Sequence, residues 1–216
     1  MNKHPNKIIS IYKKLYNAFG PQYWWPGASS FEVMIGAILT QNTNWQNVEK
    51  AILNLKKARS LNFEKMYKMS EGRLSRLIRP AGYYNIKARR LKNFLRFVKE
   101  NYSGSIEKMK KADTFKLRKG LLSVSGIGSE TADSMLLYAL NKPVFVVDAY
   151  TKRIAARHNI SKADAEYEAV QELFLRHLPR DRKLYNEYHA LLVKLGQEFC
   201  GKTKIECERC PINEKN

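Results

Sequence analysis

Leu121-Leu122-Ser123-Val124-Ser125-Gly126-Ile127-Gly128-Ser129 is the stretch on which the reading of this chain turns. An amphipathic segment, residues 115–121, runs into it, and a helical pattern over residues 129–140 runs out of it. Two glycines around one apolar residue predict a tight turn between two helices. Ile127 is expected to tuck into both helices and hold the hairpin. The amides at Gly126, Gly128 and Ser129 then face outward, just before a helix N-terminus that favours an anion. Only glycine lets the backbone come this close to a phosphate. A plain helix–helix turn has the same local pattern, so the rest of the chain has to decide between the two.

Charge decides it. The 216 residues carry 39 Lys+Arg against 20 Asp+Glu, a formal net charge of +19. That surplus calls for a polyanionic partner, and nucleic acid is the commonest one. A thermophile surface would balance its Lys with Glu, and this one does not. The charge also sits on folded structure: Lys87, Arg89, Arg90, Lys92, Arg96 and Lys99 alternate with Leu91, Phe94, Leu95 and Val98, which predicts an amphipathic helix with a basic outer face. A hydrophobic fraction of 44% excludes disorder of the whole chain. No apolar run approaches the roughly 18 residues of a membrane span. The N-terminus lacks a hydrophobic signal core, and three cysteines within residues 200–210 do not make a secreted disulfide framework. The chain is expected to be cytoplasmic, without membrane contact, and a monomer.

Helical periodicity repeats along the sequence. Ile8, Ile11, Tyr12, Leu15 and Phe19 share one face, as do Phe31, Met34, Ile35, Ile38 and Leu39; Val48, Ala51, Ile52 and Leu55 follow, and later Tyr188, Leu191, Leu192 and Leu195. The one β-like run, residues 144–147, is too short to found a sheet. The expected fold class is all-α, with about ten short helices.

Twenty residues after Gly128 the chain reads Val146-Val147-Asp148-Ala149-Tyr150. A glycine-rich helix-hairpin-helix followed at this spacing by an apolar run ending in Val-Asp resembles the endonuclease III, or HhH-GPD, superfamily of DNA glycosylases. The resemblance implies a two-lobed fold with the active-site cleft between the lobes. One lobe would be a six-helix barrel over residues 21–142 with the hairpin at about 114–140. The other would be residues 1–20 plus 143–216. Asp148 occupies the position of the family's catalytic carboxylate. Such a group stabilises the oxocarbenium charge that builds on the sugar and orients the attacking water. Asp148 is equally well placed to cap the helix that follows, and both roles can hold at once.

Departures from the pattern narrow the activity. Bifunctional members carry a nucleophilic Lys in Gly-x-Gly-x-Lys-Thr-Ala, whereas this chain has Gly126-Ile127-Gly128-Ser129-Glu130-Thr131-Ala132. Glu130 cannot form a Schiff base, so the implied enzyme is monofunctional, and Glu130 itself suits the first turn of a helix. Leu39-Thr40-Gln41-Asn42-Thr43 is similar to the segment whose glutamine fills the gap left by a flipped base. Arg79-Pro80-Ala81-Gly82-Tyr83-Tyr84-Asn85 resembles the second wedge loop, with Tyr83 as the intercalating side chain. With Trp24-Trp25-Pro26, these segments are most similar to the branch of 3-methyladenine DNA glycosylase III. In that branch aromatic side chains sandwich the extruded base, and the matching positions are Trp25 and Trp45, with Trp24 beside them. An electron-poor alkylated purine stacks well on indole; core packing is the alternative for these tryptophans. The resemblance further implies double-stranded DNA with a damaged base as partner and a monovalent cation at the hairpin. Oxidised or mismatched bases remain alternative substrates, and a non-catalytic DNA-binding protein is the alternative class.

Cys200-x6-Cys207-x2-Cys210 has three of the four positions that hold a 4Fe–4S cluster in the wider family. Asn216 stands at the fourth. A cluster with a non-Cys fourth ligand, a zinc site completed elsewhere and a site that has lost its metal are the three readings.

Overall fold

Every residue from 31 to 39 except Glu32 is buried. A helix that is apolar all round must sit inside other helices, and this one does. It is α2 (Ser30–Leu39), started by Ser29, whose Oγ accepts the Glu32 N–H at 3.2 Å. The computed structural model describes residues 4–25, 27–203 and 205–213, and the chain divides into two compact units, residues 1–24 with 143–216 and residues 25–142. It is all-α: among the described residues no strand forms, and one isolated bridge joins Cys200 to Ile205.

In the unit of residues 25–142, α2 packs against α3 (Trp45–Lys57), α6 (Tyr84–Tyr102) and α9 (Ser129–Ser134), which runs on into a π-helical turn, Met135–Ala139. Between them lie α4 (Phe63–Lys68), α5 (Glu71–Leu77), a 3₁₀ turn at Arg79–Ala81, α7 (Ile106–Lys111) and α8 (Thr114–Leu122). Side-chain caps set where these short helices start. Asn44, Asn62, Ser70, Ser105 and Asp113 each accept the backbone N–H three residues on, at about 1 kcal/mol apiece.

In the other unit, α1 (His4–Phe19) and α10 (Ala149–Arg157) pack on α11 (Tyr167–His177) and α12 (Arg182–Glu198). Its core is aromatic. Phe145 stacks on Phe174 with ring centroids 4.4 Å apart, and Tyr185 and Tyr188 meet Phe145 edge-on. Residues 144–147 are extended and buried but pair with no strand. Side chains of α11 take their polar groups instead: Gln171 Nε2 donates to Phe145 O at 2.6 Å, and Val147 N donates to Tyr167 Oη at 3.2 Å. A buried backbone needs partners, and side chains here do what a neighbouring strand would. Gly196 of α12 admits the Tyr150 ring so closely that a Cβ would lie 2.2 Å from it.

Candidate functional site

The hairpin is clamped from beneath by an ion pair. Arg118 of α8 reaches Asp133 of α9 with two bonds, Nε to Oδ1 at 2.7 Å and Nη2 to Oδ2 at 3.0 Å, and the Asp133 carboxylate is fully buried. A bidentate pair of this kind fixes the angle between the two helices as well as holding them. Ile127 is buried between them, and its N–H closes the turn on Val124 O at 3.0 Å.

The two glycines do different jobs. Gly126 has φ +95, and a Cβ there would lie 2.3 Å from Cγ of Arg90. Its glycine is therefore required by backbone conformation and by the Arg90 stem, both internal demands. Gly128 is exposed and has nothing within 4 Å of a built Cβ. Its backbone is left open to solvent. Ser129 begins α9, and Glu130 is exposed in its first turn.

Arg89, Arg96 and Lys99 of α6 are exposed, whereas Lys87 and Lys92, expected on the same basic outer face, turn inward, and the inner side of the helix fastens three loops. Lys87 is 1% exposed, and its Nζ donates to Leu39 O and Ala81 O, both at 2.8 Å. One turn on, Arg90 Nη1 donates to Gln41 Oε1, and one turn further Asn93 Nδ2 donates to Ser125 O at 3.2 Å. Gln41 Nε2 completes the network with Gly126 O and Thr131 Oγ1, both at 2.9 Å. Lys92 likewise turns inward, its Nζ on Met69 O at 2.9 Å. The reason is that helix and turn ends leave carbonyls without partners, and a long stem lets an ammonium reach them through apolar surroundings. Burial, with Arg90 adding a little, pushes the Lys87 pKa down to about 8. The signal was present in the sequence: Lys87 sits four before Leu91 and seven before Phe94, on the apolar side of its helix.

Gln41 is thus held against the hairpin, while Tyr83 stands 68% exposed at a left-handed φ of +44 just before α6. Such a backbone is strained for a bulky residue. The Lys87 N–H bond to Tyr83 O, at 2.9 Å, and the Lys87 ammonium on Ala81 O hold the chain there.

Trp25 and Trp45 line one cavity of about 310 Å³ together with Glu32, Gly36, Glu49 and Lys56. The size is at the low end for small-molecule sites. The two indoles touch edge to face, centroids 5.1 Å apart and planes at 89°, and Tyr138 packs on Trp25 at 5.2 Å. The two rings stand at right angles to each other, as an L. Trp24 is half-buried and does not line this cavity. Glu32 is engaged by Lys56 at 2.6 Å, leaving Glu49 as the exposed carboxylate of the rim. The carboxylates, absent from the sequence reading, had no motif to mark them: Glu49 lies one turn after Trp45 in α3, and Glu32 sits in the first turn of α2.

Asp148 caps α10. Its Oδ1 accepts the Thr151 N–H at 2.7 Å, while Oδ2 lies 3.7 Å from His189 Nε2 of α12, and its side chain keeps 14% exposure. One oxygen is committed to structure and the other is oriented by what surrounds it. His189 is buried, and burial pulls its pKa below the ordinary histidine value, with the Asp148 charge opposing. The imidazole is therefore neutral near pH 7, and the contact at 3.7 Å is not a full ion pair. His189, some forty residues downstream on a different helix, had no local signal.

Cys200, Cys207 and Cys210 line a second cavity, of about 560 Å³, with Arg157, His158 and Asn213 among its walls. Burial raises the Cys210 pKa, and the neighbouring Cys200 and Cys207 raise it further. The loop is built around the thiols: Asn213 Nδ2 holds Cys207 O at 2.9 Å, Arg153 Nε holds Cys200 O at 2.8 Å, and Arg157 Nη1 lies 3.1 Å from Cys200 Sγ. Among the described residues no three His, Cys, Asp or Glu side chains converge tightly enough for a single metal ion. Asn216 lies outside the described residues. No helix among the described residues is long and apolar enough to cross a membrane.

A family model for HhH-GPD superfamily base excision DNA repair proteins matches residues 35–180. A candidate DNA repair glycosylase of Methanocaldococcus jannaschii is 51% identical over 209 residues, covering 96% of this chain and 94% of its own. Endonuclease III of Thermotoga maritima is 29% identical over 180 residues, covering 83% and 79%. Among solved structures, 3-methyladenine DNA glycosylase of H. pylori, bound to 1,N6-ethenoadenine, superposes with a TM-score of 0.78 at 29% identity, over 89% of this chain and 98% of that one. An endonuclease III–DNA complex gives 0.82 at 20% identity, over 98% and 94%, and so speaks for the fold alone.

Proposed function

The chain belongs to the HhH-GPD superfamily of base excision DNA repair proteins and is a DNA glycosylase, and we propose that it is a monofunctional one that hydrolyses alkylated purines such as 3-methyladenine from duplex DNA. The observation that carries the substrate reading is the cavity at Trp25 and Trp45, where an indole face and the exposed Glu49 carboxylate offer an electron-poor or cationic base both stacking and charge. The H. pylori 3-methyladenine glycosylase at 29% identity supports the same branch. Glu130, where a lyase would carry Lys, supports hydrolysis without strand cleavage.

In this reading the hairpin at Gly126–Ser129 takes the DNA backbone, with Gly128 as the point of closest approach and a monovalent cation sharing the hairpin carbonyls. Tyr83 enters the duplex from its exposed perch. Gln41 exchanges its bonds to Gly126 and Thr131 for base edges, and the damaged base leaves the stack. The bond from C1′ to the base nitrogen breaks with its electron pair leaving on the base. A purine already made cationic by alkylation departs neutral and needs little acid catalysis. Asp148 stabilises the oxocarbenium ion and orients the water that adds to C1′. Cys200, Cys207 and Cys210 would hold a 4Fe–4S cluster, which supplies a cross-link among loop positions and no step of the hydrolysis. The protein acts as a monomer.

The test is single-turnover release of free bases from methylated duplex DNA. Wild type is expected to release 3-methyladenine and leave strands intact until alkali is added. Asp148→Asn should lower release at least about a hundredfold with duplex binding retained. Release from oxidised but not alkylated duplexes would overturn the substrate reading.

A further inference from the structure

Gln41 and Tyr83 are far apart in sequence, yet their segments hang on one side chain. Lys87 of α6 is 1% exposed, and its Nζ donates to Leu39 O and to Ala81 O, both at 2.8 Å. Each of these carbonyls lies two residues before a residue read as entering the duplex. Each also ends a helical turn, Leu39 closing α2 and Ala81 closing the 3₁₀ turn, where a cation is favoured. The main chain adds a third contact, from Lys87 N to Tyr83 O at 2.9 Å. Tyr83 has a left-handed φ of +44, which a bulky residue keeps only where its surroundings hold it. Burial and the neighbouring Arg90 both oppose the Lys87 charge, so the two carbonyls are what favour it there. One cation shared by two carbonyls fixes the distance between them. Arg90, one turn on, holds the Gln41 side chain instead. That bond is lost when the side chain turns to the DNA, whereas the Lys87 bonds are to backbone and persist.

We propose that Lys87 is a positioning residue for base extrusion: from inside its unit it sets the spacing of Gln41 and Tyr83, so that the two enter the duplex as a pair. The proposal rests on the reading of those two residues as the groups that fill the stack.

The full chain is bound to a duplex that carries a tetrahydrofuran abasic analogue opposite 2-aminopurine, whose fluorescence rises when entering side chains unstack it. The probe holds no alkylated base, so the result is independent of the preferred lesion. Lys87→Met leaves two carbonyls unpaired beneath the loops and should lower the equilibrium constant for insertion at least about tenfold. Its affinity for undamaged duplex, set by phosphate contacts, should stay within about twofold of wild type. With Lys87 in place, Gln41→Ala and Tyr83→Ala should each lower the constant, and the double variant should fall short of their product by at least about threefold. That cycle decides the matter where Lys87→Met does not fold by circular dichroism. Full insertion by a folded Lys87→Met protein, its equal loss of insertion and of undamaged-duplex binding, or additive effects of Gln41→Ala and Tyr83→Ala would overturn the role of Lys87. Gln41→Ala and Tyr83→Ala proteins that insert like wild type would overturn the reading beneath it.

Discussion

Residues 123–128 and residues 200–210 are both tight segments that follow a helix, and they are held in opposite ways. The hairpin is closed by the chain's own side chains: Asn93 and Gln41 take the Ser125 and Gly126 carbonyls, and Arg118 and Asp133 join the flanking helices. The cysteine loop is pinned at its backbone by Asn213 and Arg153, and its three cysteines line a cavity. One segment is complete in amino acids alone. The other leaves its thiols on a cavity wall, and only their spacing marked them as candidate ligands. A site that binds a transient partner such as DNA has to be rigid before the partner arrives, whereas a site for a resident cofactor gains its rigidity from the cofactor.

The largest test of that contrast is to cut one support from each side. Arg118→Met strands the buried Asp133 carboxylate and should cost about 3–5 kcal/mol, read from urea unfolding. Arg157→Met in metal-free protein removes an exposed contact and should cost about 1 kcal/mol or less. Equal losses would mean the hairpin is no more self-sufficient than the cysteine loop. Within the hairpin, Gly126→Ala meets both a left-handed φ and the Arg90 stem and should cost about 1–3 kcal/mol. Gly128→Ala should leave stability within about 0.5 kcal/mol and instead weaken duplex binding, measured by fluorescence anisotropy. Reversed roles for the two glycines would remove Gly128 from the DNA contact.

The smallest effect concerns His189, which serves neither loop. Its pKa in the folded protein lies below the ordinary 6.5 because it is buried. The unfolded chain therefore binds the proton more readily, so this contribution to stability is full above pH 6.5 and is lost as the pH falls below it. His189→Asn should flatten that acid limb of the unfolding curve, followed by urea titration at several pH values. An unchanged slope would mean that other groups carry the acid sensitivity.

Much of the fold could be read from spacing. Period-3.6 apolar residues marked α1, α2, α3 and α12, because that signal is local and stereochemical. The all-α class and the superfamily followed from residues close together in sequence: the glycine pair, Asp148 twenty residues on, and the Leu-Thr-Gln-Asn segment. What escaped the reading is long-range. Lys87 shares the apolar side of α6 with Leu91 and Phe94, but the Leu39 and Ala81 carbonyls it serves come from other segments. Arg118 and Asp133 are fifteen residues apart in helices that meet only when the hairpin folds. His189 finds Asp148 across the packing of α10 on α12.

The sequence alone determined the kind of chain this is: helical, strongly basic, built on a glycine hairpin and a Val-Asp motif that together place it in a superfamily of DNA repair proteins. Those features are written in neighbouring residues, where backbone conformation and charge follow from residue type. Only the tertiary structure decided that Gly126 is glycine for the sake of Arg90, that Trp25 and Trp45 meet at right angles, and that Lys87 holds two loops from inside. These depend on which helix faces which, and packing settles that through contacts between residues that sequence keeps far apart.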